Sequence, residues 1–298
     1  MSEPVILLDG VEKTYPYFRL TNIALQLDPG QILGFVGPNG AGKSTTLRIL
    51  MAMVQQDRGT VRVLGRSLPR EQAAAKQDIG FVSEDMRLHG SESLAWHMRL
   101  VADLCPGWDA AYATALVGRF NLHPEQQVRA LSHGERIKAA LLLALARRPR
   151  LLILDEPTTG LDPVARHEVL AELMDVVQDE RRAVLFSSHN THDVEQISDQ
   201  IAFIDRGRIV DTGDKETFLD RWRRLRLDVP PGVTLPAATG VIDTSTSGRQ
   251  AIVTTRAYAP GFEAGYAAAG VGIHAVERLT LEEIFVATVM HNRRERAA

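Results

Sequence analysis

Cysteine is almost missing from this chain: Cys105 is the only one in 298 residues. One thiol cannot close an intramolecular disulfide, so a disulfide scaffold is excluded and a reducing compartment suits the chain. Cys105 itself reads as a small, semi-buried apolar residue with no chemistry assigned. Long apolar runs are missing too. The longest, Ala139 to Ala146, falls far short of the roughly 20 residues that cross a bilayer. The start, Met1-Ser2-Glu3-Pro4, has no basic leader, and the apolar run after it is too short for a signal peptide. The expectation is a protein soluble by itself, with any membrane part supplied by another polypeptide. An excess of one charge is also lacking. Lys and Arg number 34 against 37 Asp and Glu, a net charge of -3. Nothing global therefore argues for nucleic acid or for an acidic surface partner. What remains is an ordinary globular composition, long enough for one large domain and a small one.

The chain is organised around Gly37-Pro38-Asn39-Gly40-Ala41-Gly42-Lys43-Ser44-Thr45, which fits the phosphate-loop pattern G-x-x-x-x-G-K-[ST]. Ile32 to Val36 precedes it as a buried strand. Thr46 to Val54 follows with Leu47, Leu50, Met51 and Val54 at helical spacing. Strand, glycine-rich loop and helix form the context that gives this motif meaning. A triphosphate is a dense anion, and glycines let backbone N–H groups curl around it. The helix N-terminus adds free donors and the positive end of its dipole. Lys43 can reach the β/γ-phosphates, and the Ser44 hydroxyl can ligate Mg²⁺.

Further acidic and polar groups stand where strands end. Leu151 to Pro157 is an apolar strand closing on Asp155 and Glu156. Such continuous runs mark parallel strands buried on both faces, and ligands sit at their carboxyl ends. Two adjacent acids there are costly unless they meet a cation. The reading is Asp155 on Mg²⁺ and Glu156 polarising the attacking water. Ala183 to His189 is another such strand with a histidine at its end. Ile79 to Glu84 ends in a carboxylate. Pro4 to Asp9, Ile23 to Leu27 and Gly59 to Gly65 read as further strands, with an aromatic pair at Tyr15 and Tyr17. From about Glu92 to Ala146 the rhythm is helical. Ser132 and Glu135 make a capping box for a helix running to about Arg147. Asp162 before Pro163 starts another. Ile201 to Asp205 and Arg208 to Asp211 read as a hairpin turned at Arg206-Gly207.

After Gly213 the composition shifts. Ile242 to Thr255 reads as a hairpin around Ser247-Gly248, Glu263 to Ala269 as a short helix, and Val271 to Val276 as a strand. Thr280 and Glu283 form a capping box before a last helix with Leu281, Ile284, Phe285 and Val289 on one face. The arginine-rich stretches Arg221–Arg226 and Arg293–Arg296 could meet lipid headgroups or nucleic acid, but solvated helix faces are the favoured reading.

Together these motifs resemble, in their order, the nucleotide-binding subunits of ABC transporters, over roughly Val5 to Gly213. The resemblance gives Leu131–Glu135 as the signature motif and Gly160-Leu161-Asp162 as the D-loop. It makes His189 the switch histidine and Tyr15 the base-stacking aromatic. Glu84 stands at a position the family usually fills with glutamine. The signature is Leu-Ser-His-Gly-Glu, with His133 and Glu135 where the family has Gly and Gln. The implied fold is α/β: a P-loop ABC cassette with a mostly parallel sheet, an antiparallel β subdomain and a helical insertion at about 86–147. An ATPase domain at 1–213 would precede a small α+β appendix at 214–298. The implied ligands are ATP and Mg²⁺. The phosphate loop, Tyr15, Glu84, Ser132, Gly134 and Asp162 would bind nucleotide, with Ser44, Asp155 and Glu84 at the metal and Lys43, Glu156 and His189 in catalysis. The implied mechanism pairs two copies head to tail, each ATP held between one phosphate loop and the opposite signature helix. It also implies a separate membrane permease, export-type work and a place on the cytoplasmic face of the membrane. A soluble ATPase acting on ribosomes or nucleic acid is the alternative. One cassette, one cysteine and no heptad run weigh against it.

Overall fold

The computed structural model describes residues 3–105 and 107–295, so Met1, Ser2 and Arg296 of the readings above lie outside the described residues. The chain divides into two compact units between Ile209 and Val210.

The first unit opens with two ten-residue strands, β1 (Ile6–Tyr15) and β2 (Phe18–Leu27), joined at Pro16-Tyr17. Both are longer than their alternation suggests. β1 carries Gly10 at φ 61 and two register shifts against β2, which break the period of two without ending the strand. β3 (Ile32–Val36) leads into α1 (Lys43–Leu50). This helix begins and ends about three residues earlier than its apolar spacing predicts. Gly42, at φ 114, releases it directly after the loop, and Ala52, at φ 47, stops it short of Val54. β4 (Arg58–Val63) and β5 (Arg66–Ser67) complete an antiparallel sheet in the order β2-β1-β4-β5.

A short α2 (Gln72–Gln77), without a periodic signature, precedes β6 (Ile79–Ser83). Three helices follow: α3 (Leu94–Leu104), α4 (Ala110–Arg119) and α5 (His133–Leu145). α3 and α4 are capped by Ser93 and Asp109, each accepting the backbone N–H three residues on. Then come β7 (Leu151–Asp155), α6 (Pro163–Val176), β8 (Ala183–Ser188), α7 (Thr191–Ile197) and β9 (Gln200–Asp205). Strands β9-β3-β8-β7-β6 lie side by side and all parallel, and every residue of β3, β7 and β8 is buried. Arg206 and Gly207 turn the chain after β9, both at positive φ. The core between the two sheets is apolar throughout, with Ile6, Leu47, Phe35, Ile153 and Leu185 among its members.

The division of the chain falls within β10 (Arg208–Asp214). The second unit continues through α8 (Lys215–Asp220), β11 (Arg223–Asp228), β12 (Val241–Ser247) and β13 (Gln250–Thr255). It closes with α9 (Ala264–Ala268), β14 (Gly272–Arg278) and α10 (Leu281–Glu295). Its antiparallel sheet runs β12-β13-β11-β14. The Arg221–Arg226 stretch is therefore not a solvated helix face: most of it is strand β11, in the middle of the sheet. Leu225 and Leu227 point into the core with Val253, Tyr266 and Val271. On the other face Arg224 and Arg226 pair with Glu283 and Glu277 at 2.8 and 2.7 Å. Arg221 binds both oxygens of Asp211. These bonds neutralise the basic stretch. Thr280 and Glu283 form the reciprocal bonds of the expected capping box at the start of α10.

Candidate active site

Strand register builds the site. Ser83, Asp155 and Ser187 lie in one row across β6, β7 and β8, and Val36 is level with Ser188. The residues just beyond these ends are therefore neighbours at one edge: Glu84, Glu156, His189 and Gly37. This is the carboxyl edge of a parallel sheet, where ligands bind.

The loop from Gly37 to Thr45 curls over that edge. Gly37 has no space for a side chain, because a Cβ would stand 2.5 Å from the Ile204 carbonyl oxygen. Lys43 is buried, and its ammonium donates to the Gly37 carbonyl at 2.6 Å. Thr46 returns its hydroxyl to the Gly42 carbonyl at 2.9 Å. The pocket here is lined by Tyr17, Phe18, Pro38 to Gly40, Gly42 to Thr45, Glu84 and Glu156.

Three side chains converge on Glu156. Lys43 Nζ stands 3.1 Å from Oε1. The Thr159 hydroxyl donates to Oε2 at 3.0 Å. His189 Nδ1 stands 2.8 Å from the same oxygen. A carboxylate only accepts, so Nδ1 carries the hydrogen and Nε2 faces away from Glu156. Glu156 has φ 55, a conformation that non-glycine residues rarely adopt. Strain of this kind persists where the surroundings hold it, and it aims the carboxylate back at Lys43. Oε1 is buried against the Lys43 ammonium. Asp155 beside it is buried and accepts the Ser187 hydroxyl at 2.6 Å.

The donors fit a small hard cation. Ser44 offers a hydroxyl and Asp155 a carboxylate, both oxygen ligands. Among the described residues no cluster of three or more His, Cys, Asp or Glu could hold a metal alone. Mg²⁺ is commonly held by one or two protein oxygens together with phosphates and water.

Other expected residues stand apart from this pocket. Ser132 and Gly134 lie at the start of α5, and neither lines it. Ser132 accepts from the Glu135 N–H at 3.2 Å, and Glu135 accepts from the Ser132 N–H at 2.7 Å, completing the capping box. The Ser132 backbone and then its hydroxyl hold the Glu135 carboxyl below the usual range. Asp162 caps α6, accepting from Val164 and Ala165 at 2.9 and 3.0 Å, and these bonds lower its carboxyl likewise. Tyr15 does not line the pocket either. It is, however, the direct cross-strand partner of Phe18, which does, so both rings share a face of the hairpin. Sequence reasoning missed Thr159 and Phe18. The signal for Thr159 was its place three residues after Glu156. Phe18 gave none, because the hairpin register was not legible.

A second cavity adjoins the pocket. Glu84, Asp155 and Glu156 border it on one side, His133, Arg136 and Ile137 of α5 on another. No helix among the described residues is long and apolar enough to cross a membrane.

The family model of ABC transporters matches residues 20–159. Among curated proteins, daunorubicin resistance ATP-binding protein DrrA3 of Streptomyces coeruleorubidus is 32% identical, over 100% of both chains. Nod factor export ATP-binding protein I of Paraburkholderia xenovorans is 32% identical over 72% of each chain. Among solved structures, an ATP-binding subunit of an ABC transporter superposes with a TM-score of 0.67 at 24% identity, covering 72% of this chain and 92% of that one. A dimeric ATP-binding cassette holding ADP and Pi superposes with a TM-score of 0.64 at 21% identity, covering 70% and 98%. At these identities the superpositions establish the shared fold.

Proposed function

The chain belongs to the ATP-binding subunits of ABC transporters, ATPases that power transport, and we propose that it drives export through a separate membrane-spanning permease. The observation that carries the export reading is the likeness to Nod factor export ATP-binding protein I, at 32% identity over 72% of each chain.

In this reading the phosphate loop wraps the β- and γ-phosphates, and Lys43 turns from Glu156 to them. Ser44 and Asp155, with Glu84 between the two cavities they line, would hold Mg²⁺, which would neutralise phosphate charge. Glu156 accepts a hydrogen bond from the attacking water and draws off its proton. His189, its Nδ1–H committed to Glu156, would donate to the γ-phosphate from Nε2 when that nitrogen also carries a hydrogen. Tyr15 and Phe18 offer aromatic surface for the base.

Ser132, Gly134 and Asp162 lie outside the Lys43 pocket of their own chain. We assign them to the nucleotide of a second cassette, so that a pair of copies completes two sites. Removing the γ-phosphate then releases the pair, which gives the permease a two-state input. The working place is the cytoplasmic face of the membrane. Cargo contacts belong to the permease.

The test uses tagged Glu156→Gln protein in its native cell, solubilised in mild detergent and purified with and without Mg-ATP. Co-purification of a polytopic membrane protein is expected. Ribosomes or nucleic acid in its place would overturn the transport reading for this chain.

A further inference from the structure

We infer that His133 is a positioning residue for hydrolysis: it ties the start of α5 to the loop that holds Glu156. The inference rests on Glu156 being the residue that polarises water.

His133 stands third in the signature stretch, where the resembled family has glycine. Its ring Nε2 lies 3.0 Å from the Thr159 carbonyl oxygen. A carbonyl only accepts, so Nε2 carries a hydrogen and donates. The ring also lies against Gly160. A Cβ there would meet His133 Cδ2 and Nε2 at 3.1 Å, and Gly160 has φ +73. The loop is thus shaped to receive an imidazole.

Thr159 is the residue through which this contact reaches the chemistry. Its hydroxyl donates to Glu156 Oε2 at 3.0 Å, and its N–H donates to the Glu156 carbonyl at 3.3 Å. Oε2 is therefore held by Thr159 on one side and His189 on the other. His133 anchors the first of these two holders.

The bond is surplus to the fold. The N-terminus of α5 is already capped by the reciprocal Ser132–Glu135 bonds. His133 itself is exposed and fills no core. Its distinctive consequence is where Thr159, and so the Glu156 carboxylate, sits. It also joins the helix start assigned above to a second copy's nucleotide with the carboxylate of its own site.

The experiment measures steady-state ATPase kinetics and melting temperature for full-length wild type, H133A, H133Q, H133N and E156Q. Loss of one net hydrogen bond's worth of positioning predicts that H133A lowers kcat roughly three- to tenfold. KM for ATP and the melting temperature should stay unchanged. Glutamine carries an N–H at the reach of imidazole Nε2, so H133Q should recover most of the rate. Asparagine is one bond shorter, so H133N should not. Wild-type kcat in H133A, with E156Q inactive, would overturn the role of His133 alone. Equal losses in the alanine, asparagine and glutamine variants would overturn the hydrogen bond as its cause. A melting temperature that falls in step with kcat would make the residue structural. Full turnover in E156Q would remove the reading of Glu156, and this inference with it.

Discussion

Lys43 and Glu156, 113 positions apart in sequence, face each other at 3.1 Å with both side chains buried. The lysine also donates to Gly37 at 2.6 Å, so it is held from both sides of the pocket. In the proposed function, phosphate oxygens at the loop would compete with Glu156 for this ammonium, and binding would separate the pair and leave Oε1 to a water. Lys43→Ala should raise the Kd for ATP at least tenfold, and equilibrium binding of a fluorescent ATP analogue measures it. Undiminished affinity would show that the ammonium does not serve the phosphates.

The hairpin register places Tyr15 beside Phe18 on one face, while Tyr17 sits fully exposed at the turn. A base stacked on that face gains about 1–3 kcal/mol from one aromatic ring. Tyr15→Ala should weaken ATP binding by about that amount, and Tyr17→Ala by less. Titration of both variants decides between them; a larger loss in Tyr17→Ala would move the base to the turn.

The Ser132–Glu135 capping box makes a pH prediction. Glu135 is held below its ordinary value of 4.5, first by the Ser132 N–H and then by its hydroxyl. A carboxyl depressed on folding stabilises the native state above its unfolded pKa and loses that effect as pH falls through the folded value. Glu135→Gln keeps an acceptor for the Ser132 N–H but cannot titrate. Between about pH 5 and 3 the wild type should lose more melting temperature than this variant. Parallel acid sensitivity in the two proteins would remove Glu135 from the account.

Strand β11 separates core from surface residue by residue. Leu227 is 1% exposed, while the Arg226 side chain is half exposed. Leu227→Ala should cost about 2–5 kcal/mol in the unfolding of the second unit. Arg226→Ala should cost about 1 kcal/mol or less, since its pair with Glu277 is exposed. Chemical denaturation of the two full-length variants measures both, and equal costs would contradict the strand.

The parts of this structure that sequence makes legible are those governed by burial. β3, β7 and β8 are unbroken apolar runs because helices and sheet cover both their faces. Their ends carry Gly37, Glu156 and His189, whose residue types stand out against the apolar runs. β1 was cut short because Gly10 and two register shifts interrupt its alternation. β11 was misread because Arg223, Arg224 and Arg226 masked the alternation of Leu225 and Leu227. The links between site residues were not legible at all. Lys43 to Glu156, Thr159 to Glu156 and His133 to Thr159 depend on loop conformation, above all on Glu156 at φ 55 and Gly160 at φ 73. No local spacing encodes those angles.

In the proposed function, ATP is hydrolysed at the Lys43 pocket with Glu156 drawing the proton from water. The most direct measurement is ATP affinity and steady-state turnover of Glu156→Gln beside wild type. Affinity should stay within a few-fold and turnover should fall by roughly a hundredfold or more, the scale of a lost general base. Turnover at the wild-type rate would contradict it.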